Sequence, residues 1–486
     1  MISSIFFLAE VKGGRMTKGL GAAQYNGKSL LLAMAMFAAR HSPLRLMPAA
    51  IVLLCFSSAT WAGEGPAVFG IPVDFILFAM TLLGVALFHH HTLYVALTGL
   101  ATITLYKLGF SDFHGVAGLA GLGGHLVHEW VTIANLLGLL LGFAILARYF
   151  EDSGIPHILP RYLPDDWKGG FVLLVMVFVI SSFLDNIAAA LIGGTVAAGV
   201  FHRRVHIGYL AAIVAASNAG GSGSVVGDTT TTMMWIDGVA PLDVVHAYTA
   251  AIPALLIFGV IAAKQQQKFA PIQKDADVGA KVDWAYVAIV VAILVGAMGT
   301  NIVVNTHYPE ISDAFPFLGV AVWVVIVALA VWRKPEWGLL PDAAKGSAFL
   351  LSLVLCASMM PVEKLPTASW ETALGLGFVS AVFDNIPLTA LALNQGGYDW
   401  GVLAYAVGFG GSMIWFGSSA GVAVSNLFPE AKSVGAWLKA GWHVALAYVI
   451  GFFIMLGVVG WHPHAPHKEG KPAAAAVPTA LVQPAH

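Results

Sequence analysis

The chain has 486 residues, of which 58% are hydrophobic and only 10% are charged. Soluble domains carry about 25% charged residues, so this composition excludes an ordinary soluble protein and indicates a polytopic membrane protein. The formal net charge of -2 and the lack of a basic face with interleaved aromatic residues give no indication of a nucleic-acid partner. The two cysteines, Cys55 and Cys356, fall in different hydrophobic segments and do not suggest a disulfide framework.

Residues 1–62 have the features of a secretory leader. Arg40 and Arg45 precede an apolar core at 47–56 that is too short to span a bilayer. Ala62 ends a stretch typical of a cleavage site. We therefore expect cleavage near Ala62 after the signal at 40–62, with an uncleaved anchor as the alternative.

Hydrophobic segments of about 20 residues, the length needed to cross a bilayer, fill the rest of the chain. A polar linker at 265–282 separates a first half (63–264) from a second half (283–460), and a Pro- and Ala-rich tail at 461–486 is predicted to be disordered. The predicted spans lie near 67–90, 92–110, 131–150, 208–234, 243–264, 283–304, 315–333, 346–361, 403–427 and 438–460. Five spans per half is an odd number, so the halves should be inverted relative to each other.

Two motifs recur in the same order in both halves. The sequence SSFLDN at 181–186 returns 199 positions later as SAVFDN at 380–385. Gly-Gly-Ser at 220–222 returns 190 positions later at 410–412. Two different motifs repeated at nearly the same offset indicate an internal duplication.

The Asp-Asn motifs lie inside apolar segments. Asp185 is the only ionisable side chain between Phe171 and Phe201, and placing a carboxylate inside a bilayer costs about 2.5–3.5 kcal/mol. The motif-bearing segments, 170–201 and 370–398, are too long for one span and too short for two. We expect each to form a re-entrant hairpin with Asp-Asn at its tip, which also leaves the basic loop residues on one side of the membrane.

A second polar element interrupts a span in each half. Four glycines fall between Gly220 and Gly227, and each costs a helix about 1 kcal/mol relative to alanine, so the span should unwind there. Two hairpin tips and two broken helices would enclose one polar site whose oxygen atoms suit alkali and alkaline-earth cations. Asp228 matches Ser418 in the second half, so the two halves are chemically unequal.

The predicted ion- and proton-binding residues carry oxygen atoms at the tips and breaks: Asp185, Asn186, Asp228, Thr229, Thr230, Asp384, Asn385, Ser418 and Ser419. The predicted supporting residues are Asn218, Gly220, Gly221, Gly227, Gly410, Gly411, Ser412, Gly417 and Glu129. Simpler interpretations remain open, namely helix capping for the aspartates and hydrogen bonding of the threonine hydroxyls to helix carbonyls.

Histidines cluster at two membrane edges: His89, His90 and His91, and His125 and His128 beside Glu129. They are interpreted as solvated edge residues, with a pH-sensing role or zinc binding at His-x-x-His-Glu as alternatives. A phosphate-binding loop is excluded because Asp228 stands where a lysine is required. An intramembrane aspartyl protease would need Gly-x-Gly-Asp, which Val225 interrupts.

Over roughly 67–460 the sequence resembles the ion transporter superfamily, and most of all its NhaD-type sodium/proton antiporters. The residues that carry the resemblance are the two Asp-Asn motifs, Asn218-Ala-Gly-Gly with Gly227-Asp228-Thr-Thr-Thr, and Gly410-Gly-Ser with Gly417-Ser418-Ser419-Ala420-Gly421. Dicarboxylate carriers of the same superfamily have Ser-Asn-Thr at the hairpin tips. The antiporters tend to carry hydroxyl residues after the first Asp-Asn, where this chain has Ala188, Ala189 and Ala190.

The resemblance implies an all-α polytopic membrane protein of two inverted repeats, each with five transmembrane helices and one re-entrant hairpin, with broken helices at the centre. It implies a multi-pass, homodimeric transporter of the bacterial inner membrane, in contact with lipid and a small inorganic cation. It would not be an enzyme and would need no cofactor. Na⁺ or Li⁺ would exchange for H⁺, with Na⁺ at Asp185, Asp384 and Asp228.

Two other functions are carried as alternatives. A carrier of organic anions (di- or tricarboxylates) or oxyanions would need cationic or Ser/Thr-rich hairpin tips, and the sequence places no Lys or Arg near either tip. A membrane sensor without turnover would need an attached soluble signalling domain, for which no segment is long enough.

Overall fold

The computed structural model describes residues 66–88, 91–113, 115–273, 281–308, 311 and 314–464. The predicted leader, most of the predicted tail, part of the linker (274–280), His89, His90 and Cys55 lie outside the described residues.

The first half is helical apart from two short antiparallel strand pairs, β1 (Ala67–Val68) with β2 (Ile71–Pro72) and β3 (Asp112–Phe113) with β4 (Val116–Ala117). Its helices are α1 (Val73–Leu87), α2 (Thr92–Phe110), α3 (Gly118–Asp152), α4 (Ile155–Ile158), α5 (Trp167–Ser181), α6 (Asn186–Val200), α7 (Ile207–Ser222), α8 (Thr229–Ile236), α9 (Pro241–Val245) and α10 (Tyr248–Phe269), with a 3-10 turn at Leu159–Tyr162.

The helices of the second half are α11 (Trp284–His307), α12 (Phe317–Leu329), α13 (Leu340–Ser358), α14 (Trp370–Ser380), α15 (Asn385–Gln395), α16 (Trp400–Gly410), α17 (Ser419–Leu427), α18 (Val434–Ala440) and α19 (Trp442–Val458). Short 3-10 turns occur at Trp337–Leu339, Val362–Lys364 and Pro429–Ala431.

Several helices have the length and apolar composition needed to cross a bilayer. In the described part of the chain these stretches are Thr92–Phe110, Gly118–Asp152, Pro241–Phe269, Trp284–Val304 and Trp337–Ser358. A sixth exists if α18 and α19, which are bent by 60°, count as one span. Together with the apolar composition, these helices make the chain a polytopic, all-α membrane protein.

The helix boundaries differ from the predicted spans in three respects. Helix α3 begins at Gly118, well before the predicted 131, because its polar early residues hide its start from a hydropathy reading. With 35 residues it is about 52 Å long at 1.5 Å per residue. Helices α1 and α12 have only 15 and 13 residues, and the spans predicted at 208–234 and 403–427 are each broken into two helices.

Corresponding elements of the two halves make corresponding contacts at the centre. Helix α5 packs on α7, as α14 packs on α16. Between halves, α6 packs on α17, as α15 packs on α8, and α7 crosses α16. The duplication found in the sequence is therefore also present in the packing.

Candidate functional site

The first Asp-Asn motif lies at the tip of a helical hairpin. Helices α5 and α6 are separated by residues 182–185 and run side by side, since a Cβ added at Gly193 of α6 would clash with Cγ2 of Val177 on α5. Asp185 caps α6: its Oδ2 accepts a hydrogen bond of 3.1 Å from the Ile187 N–H. Capping occupies part of a carboxylate that has about four acceptor positions, so it leaves room for another ligand.

The second motif has the same geometry. Residues 381–384 separate α14 from α15, and Asp384 Oδ1 accepts a hydrogen bond of 3.1 Å from the Ile386 N–H. The Gln395 side chain, at the end of α15, donates to the Pro366 carbonyl, 2.6 Å away and ahead of α14. The chain thus doubles back at Asp384, and each Asp-Asn motif lies where two helices join. That these hairpins are re-entrant in the membrane stays a prediction.

The two predicted central breaks are also present. Helix α7 ends at Ser222 and α8 begins at Thr229, while α16 ends at Gly410 and α17 begins at Ser419. Asp228 Oδ1 caps α8 by accepting a bond of 3.2 Å from the Thr230 N–H. Ser418 Oγ caps α17 in the same way, with the Gly421 N–H as donor at 3.2 Å.

The first break begins later than predicted, because Gly220 and Gly221 belong to helix α7. A Cβ at Gly220 would clash with the Phe178 carbonyl oxygen of α5, and one at Gly410 would clash with the Gly377 carbonyl oxygen of α14. These glycines therefore allow each hairpin arm to cross its broken helix closely. The role predicted for Gly220, unwinding the helix, was wrong.

Other predicted supporting glycines lie where the chain folds back on itself. A Cβ at Gly221 would lie 2.6 Å from the Gly227 carbonyl oxygen, and one at Gly411 would lie 2.7 Å from the Gly417 carbonyl oxygen. The ends of each break are therefore in direct contact. Side chains larger than glycine would push these ends apart.

Each hairpin tip meets a hydroxyl group from the start of the helix after the break. Ser419 Oγ donates to Asp384 Oδ2 over 3.1 Å. Thr229, which matches Ser419 in the duplication, has its side chain near Asp185. Asp185 and Asp384 are both half-buried residues, less buried than Asp228.

Asp228, the third aspartate of the predicted site, is only 2% exposed. Its Oδ2 accepts a hydrogen bond from Nδ2 of Asn385 over 3.4 Å, which joins the halves. The charged groups that act on it are Asp185 and Asp384, both acidic. Such a concentration of carboxylates away from water requires protons or cations for charge balance.

Asn218 is more central than its predicted supporting role suggested. Its fully buried side chain accepts a hydrogen bond of 3.0 Å from Asn186 at the first hairpin tip. It donates to Ser412 Oγ (2.9 Å) and Ser418 Oγ (3.1 Å) in the second half. In the sequence, Asn218 draws attention because it precedes the repeated Gly-Gly-Ser motif. The sequence does not indicate that its side chain bonds to residues of the other half.

The threonines that follow Asp228 divide into two kinds. Thr231 Oγ1 donates to the Ser224 carbonyl (2.6 Å), and Thr232 Oγ1 donates to the Val225 carbonyl (2.9 Å), so their hydroxyls hold the break in place. Both hydroxyls also donate to the Asp228 carbonyl at the start of α8, at 2.9 Å, so the simpler interpretation of bonds to helix carbonyls holds for these two. Thr230 is fully buried beside Asp228, and Thr229 faces Asp185.

The second histidine group lies on α3. His125 is buried, with Nε2 placed 3.1 Å from Ser358 Oγ, whereas His128 is exposed and Glu129 is half-buried. Within the described residues, no three His, Cys, Asp or Glu side chains are grouped so as to hold a metal ion. This finding argues against zinc at His-x-x-His-Glu. It also argues against a single cluster of Asp185, Asp228 and Asp384 around one Na⁺ ion. The role of Glu129 stays a prediction.

No family model matches the chain. Two Arabidopsis thaliana proteins are similar to it. Sodium/proton antiporter 1 is 25% identical over 337 residues, which are 58% of this chain and 54% of the relative. Sodium/proton antiporter 2 is 23% identical over 343 residues, 61% of this chain and 76% of the relative. The chain thus spans about half of the first relative and three quarters of the second. Antiporters are transporters rather than enzymes, and the chain is a distant relative of proteins that bear this name.

Proposed function

We propose that the chain is a secondary transporter that exchanges cytoplasmic Na⁺ or Li⁺ for external H⁺. The observation that carries this proposal is the set of bonds that holds buried or half-buried carboxylates against amide and hydroxyl groups at the tips and breaks: Asn385 donates to Asp228, and Ser419 donates to Asp384. Hard oxygen ligands suit small alkali cations. The names of the two relatives support the same function.

The exchange follows from competition for the same oxygens. A carboxylate held away from water is stabilised by a proton or by a cation, and each displaces the other. If the site opens to one side of the membrane at a time, cation release on one side is coupled to proton uptake there. Asp185 and Asp384 are the exchanging groups because they are half-buried, and Asp228 adds a third negative charge.

The architecture that we propose for this cycle is a pair of inverted repeats. The matching hairpins, the matching breaks and the matching contacts between α6 and α17 and between α15 and α8 support it. Hairpin tips with polar backbone at membrane depth are tolerated where they line an aqueous cavity. The family resemblance further supports a homodimer in the bacterial inner membrane.

The experiment is a proton-gradient assay in everted membrane vesicles from a host without its own Na⁺/H⁺ antiporters. A preformed acid-inside gradient is followed by a fluorescent probe while Na⁺, Li⁺, K⁺ or a dicarboxylate is added in turn. We expect Na⁺ or Li⁺ to dissipate the gradient and the dicarboxylate to leave it intact. Vesicles without the protein are the control, and no response to any cation would overturn the proposal.

A further inference from the structure

The duplication pairs two polar residues of the first half with two small ones of the second. Asn218 matches Gly408 and Asp228 matches Ser418, both at an offset of 190. Across the interface between halves, the Asn218 side chain reaches Ser418 Oγ at 3.1 Å. Exchanging the halves turns the Asn218–Ser418 pair into the Gly408–Asp228 pair. Gly408 has no side chain, so the corresponding hydrogen bond to Asp228 is absent.

Two of the three atoms nearest to an added side chain at Gly408 are oxygens. A Cβ built on Gly408 would lie 3.5 Å from Asp228 Oδ2, 3.9 Å from the Asn218 carbonyl oxygen and 3.4 Å from the Ser222 Cβ. Gly408 itself is buried near the end of α16, and its backbone is helical without a positive φ. Neither backbone conformation nor a steric clash therefore requires glycine at this position.

We propose that the missing side chain at Gly408 determines which cation the site accepts, by leaving room beside Asp228 Oδ2 for a small dehydrated monovalent cation. This inference rests on the proposed function. Oxygen ligands approach a cation such as Ca²⁺ to about 2.3–2.6 Å, so a methyl group 3.5 Å from Oδ2 would occupy the same space. The Asn218 carbonyl is the second oxygen that faces the space.

The substitution Gly408→Ala tests the inference because its contacts are of ordinary van der Waals length. A smaller space should affect a larger ion more, so affinity for Na⁺ should fall more than affinity for Li⁺. We expect the ratio of apparent Na⁺ to Li⁺ affinities to fall about tenfold, the change that roughly 1.4 kcal/mol produces. A purely structural effect would lower both activities together and leave the ratio unchanged.

The matched control is Gly170→Ala in α5. Its added Cβ also meets only ordinary contacts, at 3.5 Å from the Ala263 Cβ and from Tyr209 Cε2. It should keep the wild-type ion ratio. Asp228→Glu is a second test, because the longer side chain enters the same space from the opposite side and should shift the ratio in the same direction.

Two readouts separate this inference from the proposed function. One is exchange in everted vesicles, and the other is thermal stabilisation of the purified protein by Na⁺, Li⁺ or K⁺, which reports binding without turnover. If the wild-type protein exchanges cations and both Gly408→Ala and Asp228→Glu keep its ion ratio, the inference about Gly408 is wrong. If the wild-type protein neither exchanges nor binds cations, the proposed function is wrong.

Discussion

The side-chain amide of Asn385 donates a hydrogen bond to the carboxylate of Asp228, and the two residues come from different halves of the chain. The Nδ2 to Oδ2 distance of 3.4 Å is longer than the usual 2.7–3.2 Å for such a bond. The tip of the second hairpin is therefore linked only weakly to the carboxylate of the first broken helix. Protonation of Asp228 would weaken its hydrogen bond with Asn385, because a protonated carboxyl group is a poorer acceptor than a carboxylate.

The hairpin-tip aspartates provide the first prediction. Asp185→Asn and Asp384→Asn should each abolish cation-driven proton exchange, because an amide cannot hold the exchanged proton or balance a cation. Both variants should still insert into the membrane, since an amide can also cap the helix. Exchange in everted vesicles and the amount of protein in the membrane are the two measurements.

Ser419→Ala is a milder variant to compare with Asp185→Asn and Asp384→Asn. It removes only the hydroxyl that donates to Asp384 Oδ2, so exchange should weaken severalfold but persist. Full exchange by either Asp→Asn variant would exclude that aspartate from the exchange step.

Asn218 provides the second prediction, which concerns stability. Asn218→Ala leaves Asn186, Ser412 and Ser418 without their shared partner inside the protein. Unsatisfied buried polar groups cost about 1–3 kcal/mol each, so we expect the free energy of unfolding to fall by about 2–4 kcal/mol. The measurement is heat denaturation of the purified protein in detergent.

Asn394→Ala is the control for Asn218→Ala. The Asn394 amide is half-buried and bonds only to the Ala390 carbonyl of its own helix, at 2.9 Å. Its loss should change the unfolding temperature little. Equal destabilisation by both variants would contradict a special role for Asn218 between the halves.

The close helix crossings provide the third prediction. Gly410→Ala forces a methyl group against the Gly377 carbonyl, and such overpacking costs about 1–3 kcal/mol. Gly375→Ala, on the same arm as Gly377, adds a methyl group with nothing within 4 Å. It should be neutral or stabilising, since alanine favours a helix over glycine by up to about 1 kcal/mol. Fluorescence-detected size exclusion after heating would rank the two, and a reversed order would refute the crossing.

A buried ion pair away from the site provides the fourth prediction. Lys107 Nζ lies 3.5 Å from Asp74 Oδ1, with side-chain exposures of 4% and 2%, and it also faces the Phe113 ring. Breaking a buried pair from one side costs about 3–5 kcal/mol because the other charge is left unpaired. We therefore expect Lys107→Met and Asp74→Asn each to destabilise the protein strongly.

The double variant Asp74→Asn with Lys107→Met tests the pairing itself. It should be more stable than the sum of the two single effects predicts, because no unpaired charge remains. Proton exchange per folded molecule should stay close to wild type, since neither residue contacts the three central aspartates in the network described above. Strictly additive destabilisation would show that the two side chains do not interact.

The parts of the site that the sequence predicted are those that carry an unusual residue in an apolar setting. Asp185 and Asp384 stand out because a carboxylate is costly there, and the repeated motif marks both tips. Gly408 gives no such signal, since a glycine in an apolar helix looks like any other small residue. Gly220 was predicted to lie outside a helix because helix propensity describes an isolated helix. In the folded chain Gly220 is helical, and its lack of a side chain makes room for the Phe178 carbonyl oxygen.

The hydrogen bonds between the two halves also could not be predicted from the sequence. Asn218 lies 194 positions from Ser412 along the chain, and nothing local specifies that they meet. The start of α3 was missed for a different reason: hydropathy marks the apolar part of a helix, and the polar turns around His125 are helical without being apolar.

The glycine crossings have a mechanical consequence. At Gly220 with Phe178 and at Gly410 with Gly377, the backbones of two helices are in direct contact. This close packing hinders sliding of one helix along the other. We therefore expect each hairpin to move together with its broken helix as one rigid body. Any bending is then confined to the joints at its edges, such as the turns at Gly238 and Gly396, whose backbones already have a positive φ.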